Sequence, residues 1–265
     1  MNAVIDHATL TPSALDRMAR VADEVAAKFA PDVDASGRFP KETFEALKRE
    51  RLLGCWIPRE YGGEGLSFTE ICALVARLGQ ACGSSAMVYG MHQIKMSSLI
   101  QHSVGSEWHQ DYMRECARDQ LLLGSATTEG GIGGDLRNSI CAVEVENGRY
   151  RLTKQATCIS YGWESDAILA TCRRNPDAAS SDQVMVVCKK SDNTLRETVG
   201  WDTMGMRGTR SVGFELVSEG DAKQIFVQPF GEIAAQSMLA MAHIIWTATW
   251  FGIAADTVVK AQAFV

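Results

Sequence analysis

Near Leu121 the hydrophobic pattern of the chain changes period, and this change limits the fold more than any other feature. Upstream, apolar residues recur at helical spacing. Leu15, Met18, Ala22, Val25 and Phe29 fall at i, i+3, i+7, i+10 and i+14, one face of a helix. Thr11 followed by Pro12 is a start signal, because proline suits the first helical turn. A second helix is predicted from about Lys41 to Leu53, with Phe44, Leu47 and Leu52 inward and Gly54 as its stop. Pro58 to Gly65 reads as loop. Ser67 with Glu70 three residues on forms a capping-box pattern, opening a helix that carries Ile71, Leu74, Val75 and Leu78. Further helices are predicted after Cys82-Gly83-Ser84-Ser85 as far as Leu99, and from Ser106 to Arg118.

Downstream the period falls to two. Leu121 to Thr128 is a short apolar run. Ile140 to Glu146 alternates, with Cys141, Val143 and Val145 on one side, and Asn147-Gly148 separates it from Arg149 to Thr153. An Asn-Gly pair between such runs is a strong hairpin signal, because both central residues of a type I′ turn need positive φ. Ala167 to Cys172, Gln183 to Lys189, Val212 to Val217 and Gln224 to Val227 are further strand candidates, with a polar loop from Arg173 to Asp182. From Gly231 the pattern is helical again. This order predicts an α+β fold in three parts: an N-terminal all-helical domain over 1–120, a middle antiparallel, barrel-like β domain over 121–230, and the start of a C-terminal helical bundle over 231–265.

Composition narrows the function. At 46% hydrophobic and 22% charged the chain is globular rather than disordered. A net charge of −6, with no basic run longer than two, argues against nucleic acid as a partner. Met1 to Ser13 lacks a basic start followed by an apolar core, so it does not read as a secretory signal. The eight cysteines include no Cys-x-x-Cys, and there is no His-x-x-x-His, so no metal site is predicted. They read as reduced thiols of a cytoplasmic protein. Met238 to Ala255 holds no Lys, Arg, Asp or Glu, but His243, Thr247 and Thr249 interrupt it and no basic cluster flanks it. It reads as a buried bundle helix rather than a membrane span. The chain stops at Val265 still in this apolar pattern, which leads one to expect an exposed apolar face.

Ser125 to Asp135 has four glycines in five positions. Glycine lets backbone amides approach a ligand closely, and successive N–H groups can cradle an anion or the polar edge of a ring. A dinucleotide fingerprint is excluded, because Leu136 stands at the third glycine position after Gly131 and Gly133. On its own such a loop is more often a turn than a ligand site.

Four segments resemble, in order and nearly end to end, the acyl-CoA dehydrogenase family. Phe39-Pro40 with the helix after it, then Gly54 through Ile57-Pro58-Arg59-Glu60-Tyr61-Gly62-Gly63-Glu64-Gly65, is similar to the family's "G…IP-E-x-Y-GG-x-G" stretch. Ala81 to Ala86 resembles its next helix junction, Thr128 to Asp135 its "TEPGAGSD" loop, and Met204 to Ser211 its "LGMRGTxS" segment. The resemblance implies FAD as cofactor, an acyl-CoA thioester as substrate and α,β-dehydrogenation, in which a glutamate removes the α proton while hydride passes to flavin N5. It also implies an electron acceptor such as an electron-transfer flavoprotein, and a homo-oligomer or a completing partner subunit.

Carried over by position, Ser125, Thr127, Thr128 and Gly133 would contact the flavin, and Gly134 the thioester end of the substrate. Cys158, Ile159 and Ser160 match the family's "WIT" triplet, whose third member hydrogen-bonds the flavin ring. Thr128 and Ser160 would then act as hydroxyl donors to a reduced flavin. Three departures stand out. Cys158 replaces a tryptophan that would cover a flavin face. Gly130 and Gly134 replace a proline and a serine. Ala242 occupies the position where some members carry the catalytic glutamate; others carry it in a last domain beyond the end of this chain. His243 falls where many members have a substrate-contacting arginine, and a histidine can serve as a base near neutral pH, although a lone histidine on an apolar helix is more often a satisfied core residue. The catalytic base is therefore unassigned. Beside the dehydrogenase, two readings stay open: a flavin-dependent monooxygenase on the same fold, and a non-catalytic truncated subunit that needs a partner chain.

Overall fold

A computed structural model describes residues 12–264, so Thr11, half of the expected start signal, lies outside them. Helix α1 (Ala14–Arg20) begins at Ser13, whose hydroxyl accepts the Asp16 N–H at 3.2 Å while the Asp16 carboxylate accepts the Ser13 N–H at 3.1 Å. A π turn (Val21–Ala26) joins it to α2 (Ala27–Ser36). Met18, Val21, Ala22, Ala26 and Val33 form the buried face, whereas Leu15 is 47% exposed.

Helix α3 (Lys41–Arg49) is shorter than its pattern predicts, because Arg51 turns left-handed at φ 57°. Leu52 and Leu53 are buried all the same. Helix α4 (Phe68–Gly79) opens with the predicted capping box, Glu70 accepting the Ser67 N–H at 2.7 Å. Helices α5 (Gly83–His102) and α6 (Glu107–Asp119) complete the first helical set.

Seven strands follow: β1 (Leu123–Ala126), β2 (Val143–Glu146), β3 (Arg149–Ala156), β4 (Ala167–Arg173), β5 (Gln183–Lys189), β6 (Asn193–Val199) and β7 (Gly213–Asp221). Asn147 and Gly148 take φ 51° and 76°, and Glu146 pairs with Arg149 across the predicted turn. One sheet has the order β2-β3-β7-β6 and is antiparallel throughout. The other is β1-β4-β5, in which β4–β5 is antiparallel but β1–β4 is parallel. A parallel pair needs a long crossover, and the β2–β3 hairpin lies within it. The predicted strand at Gln224–Val227 is reduced to one bridge, Ile225 to Val186. Here the Gln224 side chain, donating to the Val187 carbonyl at 2.6 Å, occupies the edge of β5 instead. Strand β6 escaped prediction because it is mostly exposed and polar.

The three-stranded sheet is buried on both faces. Leu123, Leu169, Met185 and Val187 face the helices, while Ile168, Ala170, Val184 and Val186 meet Val143, Leu152, Phe214 and Leu216 of the other sheet. Double burial explains why β4 and β5 read as continuous apolar runs.

Helix α7 (Phe230–Ile233), a π turn (Ala234–Met238) and α8 (Leu239–Phe264) run on as one helix of 35 residues, long and apolar enough by length and composition to cross a membrane. In this structure one face of it packs on α4 and α5 through Ala242, Ile245, Thr249 and Gly252. The approach is close: a Cβ at Gly252 would fall on the Ala76 carbonyl of α4. The opposite face, with Trp250, Phe251, Val258 and Val259, is exposed, as the uninterrupted apolar pattern predicts.

Two of the polar links that join helices to sheet lie beside β1. His92 on α5 is fully buried; its Nε2 donates to the Leu53 carbonyl at 2.9 Å and its Nδ1 accepts the Leu123 N–H at 3.0 Å. Asp166 accepts both the Leu122 N–H at 2.8 Å and the Lys48 ammonium at 3.1 Å. Burial pushes the His92 imidazole down to about 4, so it stays neutral.

Two outcomes follow from this packing. Gly252→Ala should destabilise by about 1–3 kcal/mol through overpacking, read as a lower Tm. Unfolded histidines take up a proton near pH 6.5; buried His92 and His109 do so only near 4. The unfolded state therefore binds more protons across that window, and stability should fall as pH drops through it, by at most about 3 kcal/mol for each histidine. His92→Gln should lower Tm at pH 7.5 and flatten this slope; an unchanged slope would remove His92 from the explanation.

Candidate functional site

A cavity of about 330 Å³ lies where the β region meets α5 and α8, within the ~300–1,000 Å³ range of small-molecule sites. One wall carries Ser125 of β1, Thr127, Thr128, Gly134, Leu136, Cys158, Ser160 and Tyr161. The other carries Met91, Ile94 and Lys95 of α5, with Met238, Leu239, Ala242 and Trp246 of the last helix. A larger groove of about 450 Å³ between α2, α4 and α8 gathers none of the predicted residues. Its charged side chains are already paired, Arg77 with Asp23 and Lys260 with Asp256.

The structure thus brings together Ser125, Thr127, Thr128, Gly134, Cys158, Ser160 and Ala242. It does not bring Gly133, Ile159 or His243 to the cavity. Ile159 is buried between the two sheets, with its N–H donating to the Val212 carbonyl at 2.9 Å. Gly133 lies on the exposed part of its loop. His243 follows Ala242 by one residue, about 100° round the helix. That step turns it onto the exposed face, edge-on to Trp246 at 6.0 Å. Neither substrate contact nor base chemistry inside this cavity falls to His243.

The hydroxyls of the β wall are directional. Thr209 Oγ1 donates to the Met206 carbonyl at 2.9 Å, and a carbonyl only accepts. Ser211, 2.7 Å from Thr209, must therefore donate to it, and Ser160, 2.7 Å from Ser211, must donate in turn. Thr128 Oγ1 donates to the Cys158 carbonyl at 3.0 Å. Thr128 and Ser160 consequently offer lone pairs to the cavity rather than the protons expected of them. Ser125 and Thr127 make no side-chain hydrogen bond among the described residues, and they are the free donors of this wall.

Backbone strain accompanies this hydroxyl chain. Tyr161, Met206 and Arg210 are left-handed without being glycine, at φ 42°, 55° and 45°. Such residues persist only where their surroundings hold them, and they cluster at functional sites. Tyr161 is held at both ends, its hydroxyl donating to the Leu123 carbonyl at 2.9 Å and its N–H to the Thr209 carbonyl at 2.8 Å.

The glycine loop needs its glycines, since Gly131, Gly133 and Gly134 take φ 92°, 59° and 83°. Buried Glu129 anchors its root. It accepts from Cys141 N–H at 2.6 Å, Ile140 N–H at 3.1 Å, Ser139 Oγ at 2.7 Å and the Lys154 ammonium at 3.0 Å. Burial alone would raise its pKa, but Lys154 and these donors together hold it below the usual carboxylate value. With every partner internal, it fixes the loop and takes no part in the cavity. Burial pushes the Cys158 thiol up, and no cation lies beside it to favour a thiolate.

Lys95 escaped the sequence reading. It is 4% exposed, and its one hydrogen-bond partner among the described residues is the Met238 Sδ at 3.2 Å. Burial lowers its pKa to about 8, which still leaves it mostly cationic at pH 7. Its signal was available: between Gly83 and Ser106 it is the single Lys, Arg, Asp or Glu. Among the described residues it is also the sole charged side chain lining the cavity, and no Asp or Glu does so.

Residues 13–120 match the acyl-CoA dehydrogenase N-terminal domain. Mitochondrial isovaleryl-CoA dehydrogenase of Solanum tuberosum is 24% identical over 207 residues, covering 77% of this chain and 50% of that relative. Among solved structures, the FMN-bound dibenzothiophene monooxygenase TdsC of Paenibacillus sp. A11-2 superposes with a TM-score of 0.84 at 20% identity, over 94% of this chain and 64% of that one. Butyryl-CoA dehydrogenase of Megasphaera elsdenii gives 0.80 at 18% identity, over 96% and 69%. Residues 13–120 thus carry an acyl-CoA dehydrogenase N-terminal domain, and the chain has the fold of these solved neighbours. These relatives and neighbours are enzymes, dehydrogenases and monooxygenases alike. The chain spans about half the length of the curated relatives it matches.

Breaking one side of the Glu129–Lys154 pair leaves a buried charge alone. Glu129→Gln and Lys154→Met should each cost about 3–5 kcal/mol in urea unfolding. The double variant should cost clearly less than the sum of the two; simple additivity would mean the pair is not coupled.

Proposed function

We propose that this cleft holds the isoalloxazine ring of a flavin, FMN or FAD, and that the protein is a flavin-dependent monooxygenase rather than an acyl-CoA dehydrogenase. The residues present suit the cofactor. Free hydroxyls on Ser125 and Thr127 and lone pairs on Thr128 and Ser160 match the mixed donor and acceptor edge of the ring. The opposite wall is apolar. The left-handed glycine backbone beside it leaves N–H groups open to a phosphate. The family resemblance and the FMN-bound neighbour support the same assignment.

One observation carries the choice of reaction. Dehydrogenation α,β to a thioester requires a base within reach of the α proton. On the helix where the resemblance places that base in some members this chain has Ala242, and the described cavity walls hold no carboxylate, so a dehydrogenase that draws its base from this helix is unsupported. The other titratable groups there are a cationic lysine, a neutral thiol and a tyrosine already bonded to the Leu123 carbonyl. Oxygenation needs no such base. A flavin held by Ser125, Thr127, Thr128 and Ser160, once reduced by an external donor such as NAD(P)H, would supply the two electrons that insertion of one atom of O₂ and release of the other as water require. The protein then has to orient the substrate and keep water out, and the apolar face of Met91, Ile94, Met238, Leu239 and Trp246 does both. Cys158, smaller than the tryptophan of the resemblance, would leave more of the cavity open beside a bound flavin.

The full chain, loaded with FMN or FAD, should not be bleached anaerobically by butyryl-CoA or isovaleryl-CoA. With an NAD(P)H-driven flavin reductase and ¹⁸O₂ it should place one labelled atom on a member of a panel of thioethers, phenols and small organic acids. Anaerobic bleaching with formation of the enoyl-CoA, passing electrons on to an electron-transfer flavoprotein, would overturn the oxygenase reading in favour of the dehydrogenase.

A further inference from the structure

Lys95 sits where a charge is costly. Its three ammonium N–H groups have a single thioether acceptor, a weak one. Met91, Ile94, Met238, Leu239, Ala242 and Trp246 surround it with apolar surface. No carboxylate lines the cavity among the described residues. Cys158 and Tyr161, the other titratable groups on its walls, are neutral, so neither supplies a counter-charge. An uncompensated buried cation is disfavoured in the free protein. Among the described residues Lys95 has no counter-charge, and its open side is the cavity.

We propose that Lys95 is the receptor for an oxyanion carried by the substrate itself: the cavity takes a compact organic acid, its apolar body against Met91, Met238 and Trp246 and its carboxylate or sulfinate-type head on Lys95 Nζ. The assignment rests on the reading of this cleft as the reaction site, and it deepens that reading by naming the substrate class. Lys95 comes from α5, whereas Ser125 and Thr127 come from β1 and the loop after it. An acid held there is placed between the helices and the hydroxyl wall. A neutral compound of the same shape leaves the ammonium unpaired, so the site discriminates by charge as well as by fit.

The test uses the full chain with and without FMN or FAD. Phenylacetate and 3-phenylpropionate are titrated against their neutral amides, followed by calorimetry and by Trp246 fluorescence. The wild type should bind each acid at least tenfold more tightly than its amide. Lys95→Met should lose that preference, keep amide binding and flavin affinity within about twofold, and melt at the same or a higher temperature, because it removes an unpaired buried charge. Lys95→Gln, which keeps a polar head without charge, should lose the preference as well. Equal binding of acid and amide by the wild type overturns the proposal. So does a Lys95→Met protein that melts lower yet binds the acids unchanged, which marks a structural lysine. If neither flavin binds but the acids still discriminate through Lys95, the cofactor reading falls and this inference stands. If flavin binds and the acids show no preference, the reverse holds.

Discussion

The cleft exists because one neutral imidazole joins three segments. His92 lies on α5, donates to the chain leaving α3 at Leu53, and accepts from the first residue of β1 at Leu123. Both ring nitrogens are used, so the tautomer is fixed, and protonation would cost the Leu123 bond. Two residues further along β1, Ser125 opens onto the cavity, and three residues further along α5, Lys95 lines it as well. The distance between the two walls is therefore set where helix and strand are tied together. The carbonyl of the same Leu123 receives the Tyr161 hydroxyl, which brings the chain after β3 onto the same anchor.

Around this seam the molecule holds its polar groups in fixed directions. A hydroxyl chain ending on the Met206 carbonyl aims the Ser160 proton away from the cavity, and Glu129 is fully engaged with the loop it anchors. What remains free is small: two hydroxyls on one wall and one ammonium on the other. That asymmetry favours a cofactor on the β wall and a substrate on the helical wall.

Much of this was legible in the residues. Capping at Ser67 and the turn at Asn147-Gly148 depend on local chemistry, and both appear where the sequence puts them. The change from helical to alternating periodicity marks where strands begin. The parallel β1–β4 pair was hidden, because a strand carries no mark of the direction of its partner. The bend at Arg51 was hidden too, since a left-handed arginine is held by its surroundings and not by its own preference. The hydroxyls that line the cavity were singled out by resemblance, but the direction of the Ser160 proton depends on Ser211 and Thr209, some fifty residues away in sequence. His243 was misplaced by a single residue of helix, enough to turn it outward. Lys95 was visible as a lone charge in a twenty-residue uncharged helix, but only the cavity around it gives that charge a purpose.

Hydrogen–deuterium exchange of the full chain, with and without FMN or FAD, tests most directly whether the two walls enclose the cofactor. Cofactor binding between these walls slows exchange over residues 123–134 and 158–161 and along α5 near Met91–Lys95, with little change in the β2–β3 hairpin or at the groove lined by Asp23 and Arg77. Flavin binding that protects that groove instead, or that leaves β1 and α5 exchanging as before, would contradict it.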